Sequence, residues 1–255
     1  MRANSKLGRI IGALTGTRTV SPGHNQDAGP AGPARADLRG ARLRYANLIA
    51  ADLSRADLTD AYITDADLTN ANLSGANLTN ANLNSTRLEG ANLAGADMTR
   101  AFLSDANLTD ADLTGANLTG TQLYRAHMGS AGLIRACLIR AYMGSADLTG
   151  ADLTDADLTD AYLARAKLVS ARLVRADLSH ADLTDANLAS ADLTDATLNS
   201  DTMQLDGMLW SERTIWPPKV AEQMRARSSE LSPGTFRINS AGHEHEPTDA
   251  KIPSV

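Results

Sequence analysis

Residues 146–160 read Ala146-Asp147-Leu148-Thr149-Gly150-Ala151-Asp152-Leu153-Thr154-Asp155-Ala156-Asp157-Leu158-Thr159-Asp160, three copies of one five-residue phrase. The phrase Ala-(Asp/Asn)-Leu-(Thr/Ser)-X runs from Ala36 to Ser200 without an insertion or deletion. Stepping by five from Ala36 to Ala196 meets 33 positions, of which 31 are Ala; the others are Thr86 and Thr121. From Leu38 to Leu198, 29 of 33 are Leu, with Ile63, Met98, Met128 and Met143 as substitutes. So strict a period means one elongated stack of like units in place of an ordinary globular core.

An α-helix turns about 100° per residue, so a step of five rotates a side chain by about 140° and scatters the leucines around the axis. A flat strand fails as well, because its two-residue alternation is broken once in every five. A short extended piece, Ala-x-Leu, does fit. Ala and Leu share one side, the middle residue takes the other, and the last two residues turn a corner. Chained corners coil the backbone, and the coils stack as parallel ladders about 4.8 Å apart. Leu fills the axis, and Ala stands beside it because a narrow coil overpacks with anything larger.

These residues resemble the pentapeptide-repeat family over about 165 of the 255 positions. The resemblance implies an all-β solenoid, a right-handed quadrilateral parallel β-helix of about eight coils with twenty residues in each. Four sides have support of their own in the sequence. The outward middle position is aromatic at Tyr62, Phe102, Tyr142 and Tyr162, separated by 40, 40 and 20 residues. Chance placement on four walls aligns them about once in 64 trials, and a three-sided coil scatters them.

The ends of such a stack need covering. Met203 and Met208 fall on the Leu lattice, so a degraded coil continues past the array. Trp210 and Trp216 then flank Ser-Glu-Arg-Thr-Ile, and Pro217-Pro218 suits a helix start. Val220, Met224 and Leu231 lie on one helical face, Ser232-Pro233-Gly234 ends it, and Phe236 and Ile238 alternate as in a strand. The expected organisation is a basic segment and Gly/Pro linker over 1–35, the β-helix over 36–200, a C-terminal helical cap over 201–238 and a disordered tail over 239–255. The Trp-Ser-x-x-Thr-x-Trp-Pro run is similar to tails that follow some bacterial pentapeptide arrays.

Leu7, Ile10, Ile11 and Leu14 recur at helical spacing beside Arg2, Lys6 and Arg9. That segment reads as a cap, as a disordered tail, or as membrane-surface contact through residues 1–18. No run of 18 apolar residues exists, Arg9 interrupts any signal-peptide core, and Cys137 is the one cysteine, so the expected setting is cytoplasmic.

Departures from the phrase cluster between Thr121 and Ser145. There the middle position reads Gln122, His127, Gly132, Cys137 and Tyr142, and the corners include Tyr124, Ile134 and Ile139. No acid occurs between Asp112 and Asp147, while Arg125, Arg135 and Arg140 are present. Lys167, Val169, Arg172, Val174 and Arg175 form a second departure beside Arg165. The array holds 21 acidic and 13 basic residues, a balance of -8, so this reads as a basic, partly apolar belt on an acidic rod. Two readings stand: a partner-binding surface made of Tyr62, Phe102, Tyr142, Tyr162, Tyr124, Arg125, Ile134, Arg135, Ile139 and Arg140, or ordinary ladder packing.

Enzyme chemistry is not expected. The Asp residues recur on solvated walls with no pocket to shift them. His127 and Cys137, ten residues apart, lie on opposite sides of a four-sided coil, and His243-Glu-His245-Glu246 sits in a polar tail, so no metal or cofactor is expected. The reading is a non-catalytic scaffold binding a protein partner, with homo-oligomerisation open and no direct nucleic-acid binding. The resemblance adds an alternative, an acidic rod that mimics DNA, binds a type II topoisomerase and protects it from quinolones or natural poisons. This chain departs from those proteins in lacking axial Phe, in having no interrupting loop, and in its central basic belt.

Overall fold

A computed structural model of the chain describes residues 36–198 and 203–239. Throughout 36–198 the middle residue of each repeat bridges, in parallel, the residue twenty positions on: Asp37 to Asp57, Arg42 to Tyr62, Asn47 to Asp67, Asp52 to Asn72, and so on to Asp177 and Thr197. Four repeats therefore make one coil, and the coil has four walls, here called first to fourth after those four starting residues. The segments 1–35, 199–202 and 240–255 lie outside the described residues, and with them the expected basic helix, the linker and the tail.

Alanine and leucine face the axis together. From Leu58 to Leu193 every Leu-position side chain is fully enclosed, and each contributes about 1.5–3 kcal/mol of burial. Thr86 and Thr121 enter this apolar column because their hydroxyls donate to backbone carbonyls, Thr86 to Leu83 and Thr121 to Met98 at 2.8 Å.

Backbone accounting explains the rest of the phrase. In the repeat starting at Ala56, Asp57 N–H donates to the Ala36 carbonyl at 2.9 Å, Leu58 N–H to Asn77 at 2.7 Å and Asp60 N–H to Thr79 at 3.0 Å. Ala61 N–H closes the corner on the Leu58 carbonyl at 3.0 Å. Only Thr59 N–H lacks a backbone acceptor, and it donates to Asp57 Oδ1 at 3.1 Å, next to the Thr59 hydroxyl at 2.6 Å. All 20 Asp and Asn residues at the middle position accept from the N–H two residues on. The phrase wants a short acceptor there, and charge is incidental, since Asn serves as well as Asp.

The fifth residue of every repeat from Gly40 to Asp195 has φ between 53° and 68°. Twenty-five of these 32 corners are not glycine. Left-handed backbone costs an L-residue roughly 1 kcal/mol, so the ladder on either side holds the corners in place.

From Met203 the parallel bridging is taken up in a shifted register. Gln204 bridges Asp182, Leu209 bridges Asn187 and Ile215 bridges Asp192, which are 22, 22 and 23 residues back. Met203 and Met208 therefore occupy Ala slots, not the Leu slots their spacing suggests, and Leu205 and Trp210 fill the axis. The lattice is moved by two residues at Gln204 and Leu209 and by three at Ile215, and the terminal coil has no identical neighbour stacked on it, so larger side chains fit.

Strand β1 (Leu209–Ser211) pairs antiparallel with β3 (Thr235–Ile238), and β3 pairs antiparallel with β2 (Ser228–Ser232). Helix α1 (Pro218–Ala226) buries Val220 and Met224 in the apolar cluster that runs on from the axis. Trp210 stacks on Phe236 with centroids 4.4 Å apart and meets Trp216 edge-on at 6.0 Å. Leu231 is not on the helix. It lies exposed in β2, because α1 stops at Ala226 and the Ser228 hydroxyl bonds back to the Met224 carbonyl at 2.6 Å. The Pro233-Gly234 turn, with Gly234 at φ 73°, joins β2 to β3 instead of ending the helix.

Candidate functional site

The second wall carries the column Arg42, Tyr62, Asn82, Phe102, Gln122, Tyr142, Tyr162, Asp182 and Gln204, bridged in that order. Its four aromatic side chains are exposed, and the Tyr142 and Tyr162 rings stack with centroids 4.8 Å apart and planes 2° from parallel. Between Arg42 and Asp182 this column holds no acid, whereas the first wall carries Asp37, Asp57, Asp97, Asp157 and Asp177. Six of its eight middle residues from Arg42 to Asp182 are neither Asp nor Asn. At those six places the corner loses its short side-chain acceptor. Within this wall Asn82 still caps Asn84 N–H at 3.2 Å, so the wall's geometry accepts the usual residue.

Tyr124 and Arg125 lie on the corner between the second and third walls, and Ile139 and Arg140 on the corner between the first and second. Both corners border the aromatic column. Ile134 and Arg135 sit on the corner between the fourth and first walls, and the fold does not bring them to it. Ile134 and Ile139 are half-buried, while Tyr124 is exposed. A Cβ on Gly144 would stand 3.4 Å from the Tyr124 ring, so glycine there leaves room for that ring to lie over the next coil. Where this wall meets the Arg140 corner, Arg140, Asp160, Tyr162, His180, Asp182 and Gln204 line a shallow groove of about 510 Å³. Sequence reasoning missed this groove. Its signal was a pair of neighbouring columns, each advancing by about twenty.

Apart from Arg135, which makes no ion pair among the described residues, the basic belt is not a free cationic surface. Arg125 pairs with Asp105 at 3.1 Å, Arg140 with Asp160 at 3.3 Å, Arg165 with Asp185 at 3.7 Å and Lys167 with Asp147 at 3.4 Å. Arg172 reaches Asp152 at 3.7 Å, and Arg175 reaches Asp155 at 2.6 Å. Each pair is twenty residues apart, so the acid-free stretch of sequence meets the acids of the coils above and below it. Each exposed pair adds little stability, but together they set each cation against an acid of a neighbouring coil. Arg125, Arg140, Arg165 and Arg175 do so at corners, and Lys167 and Arg172 on the third and fourth walls. The Arg175 hydrogen bond holds the Asp155 carboxyl below its ordinary value and raises the guanidinium in return. His127 and Cys137 lie on opposite walls, and among the described residues no three His, Cys, Asp or Glu groups converge to hold a metal. No described helix is long and apolar enough to cross a membrane.

The pentapeptide-repeat model matches this chain in eight copies that together run over residues 36–199. The chain belongs to the pentapeptide-repeat family. HetL, a pentapeptide-repeat protein involved in heterocyst differentiation regulation from the cyanobacterium Nostoc sp. strain PCC 7120, is 36% identical with a TM-score of 0.51. That match covers 71% of this chain and 83% of HetL. QnrB1, a plasmid-mediated fluoroquinolone resistance protein, is 17% identical with a TM-score of 0.53, over 71% of this chain and 96% of QnrB1. At that identity the likeness is one of fold. No curated protein matches the chain in sequence. In a pentapeptide array the axis dictates two positions of every five, so much of the identity between members follows from packing and says nothing of partners.

Proposed function

We propose that this pentapeptide-repeat protein is a non-catalytic scaffold that binds a protein partner through its second wall. In this reading the rod is a right-handed quadrilateral β-helix, and α1 with the β2–β3 hairpin caps its C-terminal end. One observation carries the binding reading: the second wall forgoes six of eight corner acceptors and displays Tyr62, Phe102, Tyr142 and Tyr162 in their place. Packing does not ask for this, since Asn82 fits the same wall and keeps its cap. A local rule broken repeatedly on one face, in favour of residue types enriched in interfaces, supports selection for binding there. The test compares partner capture by the native chain, by Tyr142→Ser with Tyr162→Ser, and by His127→Ser on the third wall. Loss of the partner in the first variant and retention in the second is expected. Full capture by the tyrosine variant would sink the reading.

The alternative, a DNA-mimicking rod bound to a type II topoisomerase, rests on the array's balance of -8. Two features weigh against it. One oxygen of each middle-position Asp is already used on a corner N–H, and Arg and Lys interleave with the acids along the columns. A gyrase supercoiling assay with and without quinolone decides: neither inhibition nor protection removes the alternative.

A further inference from the structure

The second wall is complementary to itself when turned end for end. Consider a two-fold axis lying across the wall, midway between Phe102 and Gln122. It sets Arg42 opposite Asp182, Tyr62 opposite Tyr162, Asn82 opposite Tyr142, and Phe102 opposite Gln122. Neither Arg42 nor Asp182 takes part in an ion pair among the described residues. Along the corner after this wall the fifth positions read Tyr45, Asp65, Ser85, Asp105, Arg125, Ser145, Arg165 and Asp185. The same rotation sets Asp65 opposite Arg165 and Asp105 opposite Arg125.

We propose that the partner of the second wall is a second copy of this chain, packed antiparallel with wall against wall. The proposal rests on the reading of that wall as the interface and names its occupant. Asp105 and Arg125, already 3.1 Å apart within one copy, straddle the axis, so two copies close a ring of four alternating charges. Three opposite-charge approaches, each made twice, compare with one like-charge approach made twice, Asp60 against Asp160 on the other corner. Of the three, Arg42 against Asp182 weighs most, because Asp65 is already held by Arg44 at 3.3 Å and Arg165 by Asp185 at 3.7 Å within each copy. The like-charge approach is softened within each copy: Arg140 holds Asp160 at 3.3 Å, and the Asn80 amide donates to Asp60 at 3.2 Å. A parallel arrangement instead stacks Arg42 on Arg42 and Asp182 on Asp182, so charge selects the antiparallel one. Eight coils of overlap span about 40 Å, and a wall with its corner side chains is about 15 Å wide. The total buried is then about 1,200 Å², the lower edge of a specific interface, which suits a reversible dimer. Its centre is the uncharged, aromatic part of the column, as the core of an interface requires.

Sedimentation equilibrium of the full chain over a concentration series tests this. The native protein dimerises, while Asp182→Arg and Arg42→Asp each raise the dissociation constant at least tenfold. An equimolar mixture of those two variants recovers the dimer, because each then meets its opposite charge. In a Cys137→Ser background, Tyr62→Cys and Tyr162→Cys chains form a disulfide with each other when mixed, and neither forms one with itself. A native monomer at every concentration, no recovery on mixing, or a 62-to-62 disulfide overturns the proposal. A monomer whose partner capture still depends on Tyr142 and Tyr162 would overturn self-pairing alone and leave the second wall as the binding face.

Discussion

Tyr142 and Tyr162 are twenty residues apart along the chain and 4.8 Å apart ring to ring, with planes 2° from parallel. An unstaggered parallel ladder imposes this, because identical side chains on successive coils share one rotamer and one direction. The rings are 48% and 46% exposed, so burial adds little and the stack supplies most of their coupling. In a double-mutant cycle with Tyr142→Ala and Tyr162→Ala, chemical denaturation should show a coupling of about 0.5–1.5 kcal/mol. Strict additivity would mean that the rings merely coincide.

Asp157 accepts the Thr159 N–H at 3.0 Å and its hydroxyl at 2.6 Å, and makes no ion pair among the described residues. Asp157→Asn keeps the acceptor and should leave stability within about 0.5 kcal/mol, whereas Asp157→Ala should cost about 1 kcal/mol. Equal losses in the two variants, read from urea midpoints, would show that the charge matters and the cap does not.

Ser170 holds φ 56° at a corner in the middle of the array. Glycine adopts that conformation without a Cβ clash, at the expense of a more flexible unfolded chain. Ser170→Gly should therefore stabilise the fold by up to about 0.5 kcal/mol, read as a higher urea midpoint. A fall would mean that the ladder has already absorbed the strain.

Asp52, Asp67 and Asp155 are held below the ordinary carboxylate value, Asp52 chiefly by Ser54, Asp67 by the Thr69 hydroxyl and Asp155 by Arg175. A depressed folded-state value means that their contribution is complete above the unfolded value near 3.8 and is lost as pH falls through the lower folded one. Thermal midpoints should be flat from about pH 7 to 5 and fall below about pH 4. Asp52→Asn with Asp67→Asn should shrink that fall, since Asn keeps the cap and does not titrate. An unchanged acid profile in this variant would place the sensitivity elsewhere.

Much of the architecture is legible in the chain because the axis repeats. Ala and Leu are selected by the same narrow space at each step, so their period reports the coil directly, and Tyr62, Phe102, Tyr142 and Tyr162 counted in twenties report the walls. Other features were hidden. Met203 and Met208 keep the spacing of the Leu lattice, yet the extra residues before Gln204 change which slot they fill. Leu231 matches a helical face, but β2 forms because Phe236 and Ile238 offer a strand to pair with, and no local pattern records that. The purpose of Asp and Asn emerges only once every N–H of the repeat is assigned an acceptor.

The candidate site divides in the same way. Its aromatic column could be counted from the sequence, but the pairing of its charges could not. Between Asp112 and Asp147 the chain has no acid, yet Arg125 touches Asp105 and Arg140 touches Asp160, one coil away on either side. By itself the sequence determined the period, the apolar axis and the wall on which each residue stands, because those depend on spacing alone. The tertiary structure decided which charges neutralise one another, how the last coil shifts register, and which neighbouring columns meet to line the groove beside Arg140. Those depend on contacts between residues about twenty positions apart, a distance at which composition along the chain and composition across the surface are different things.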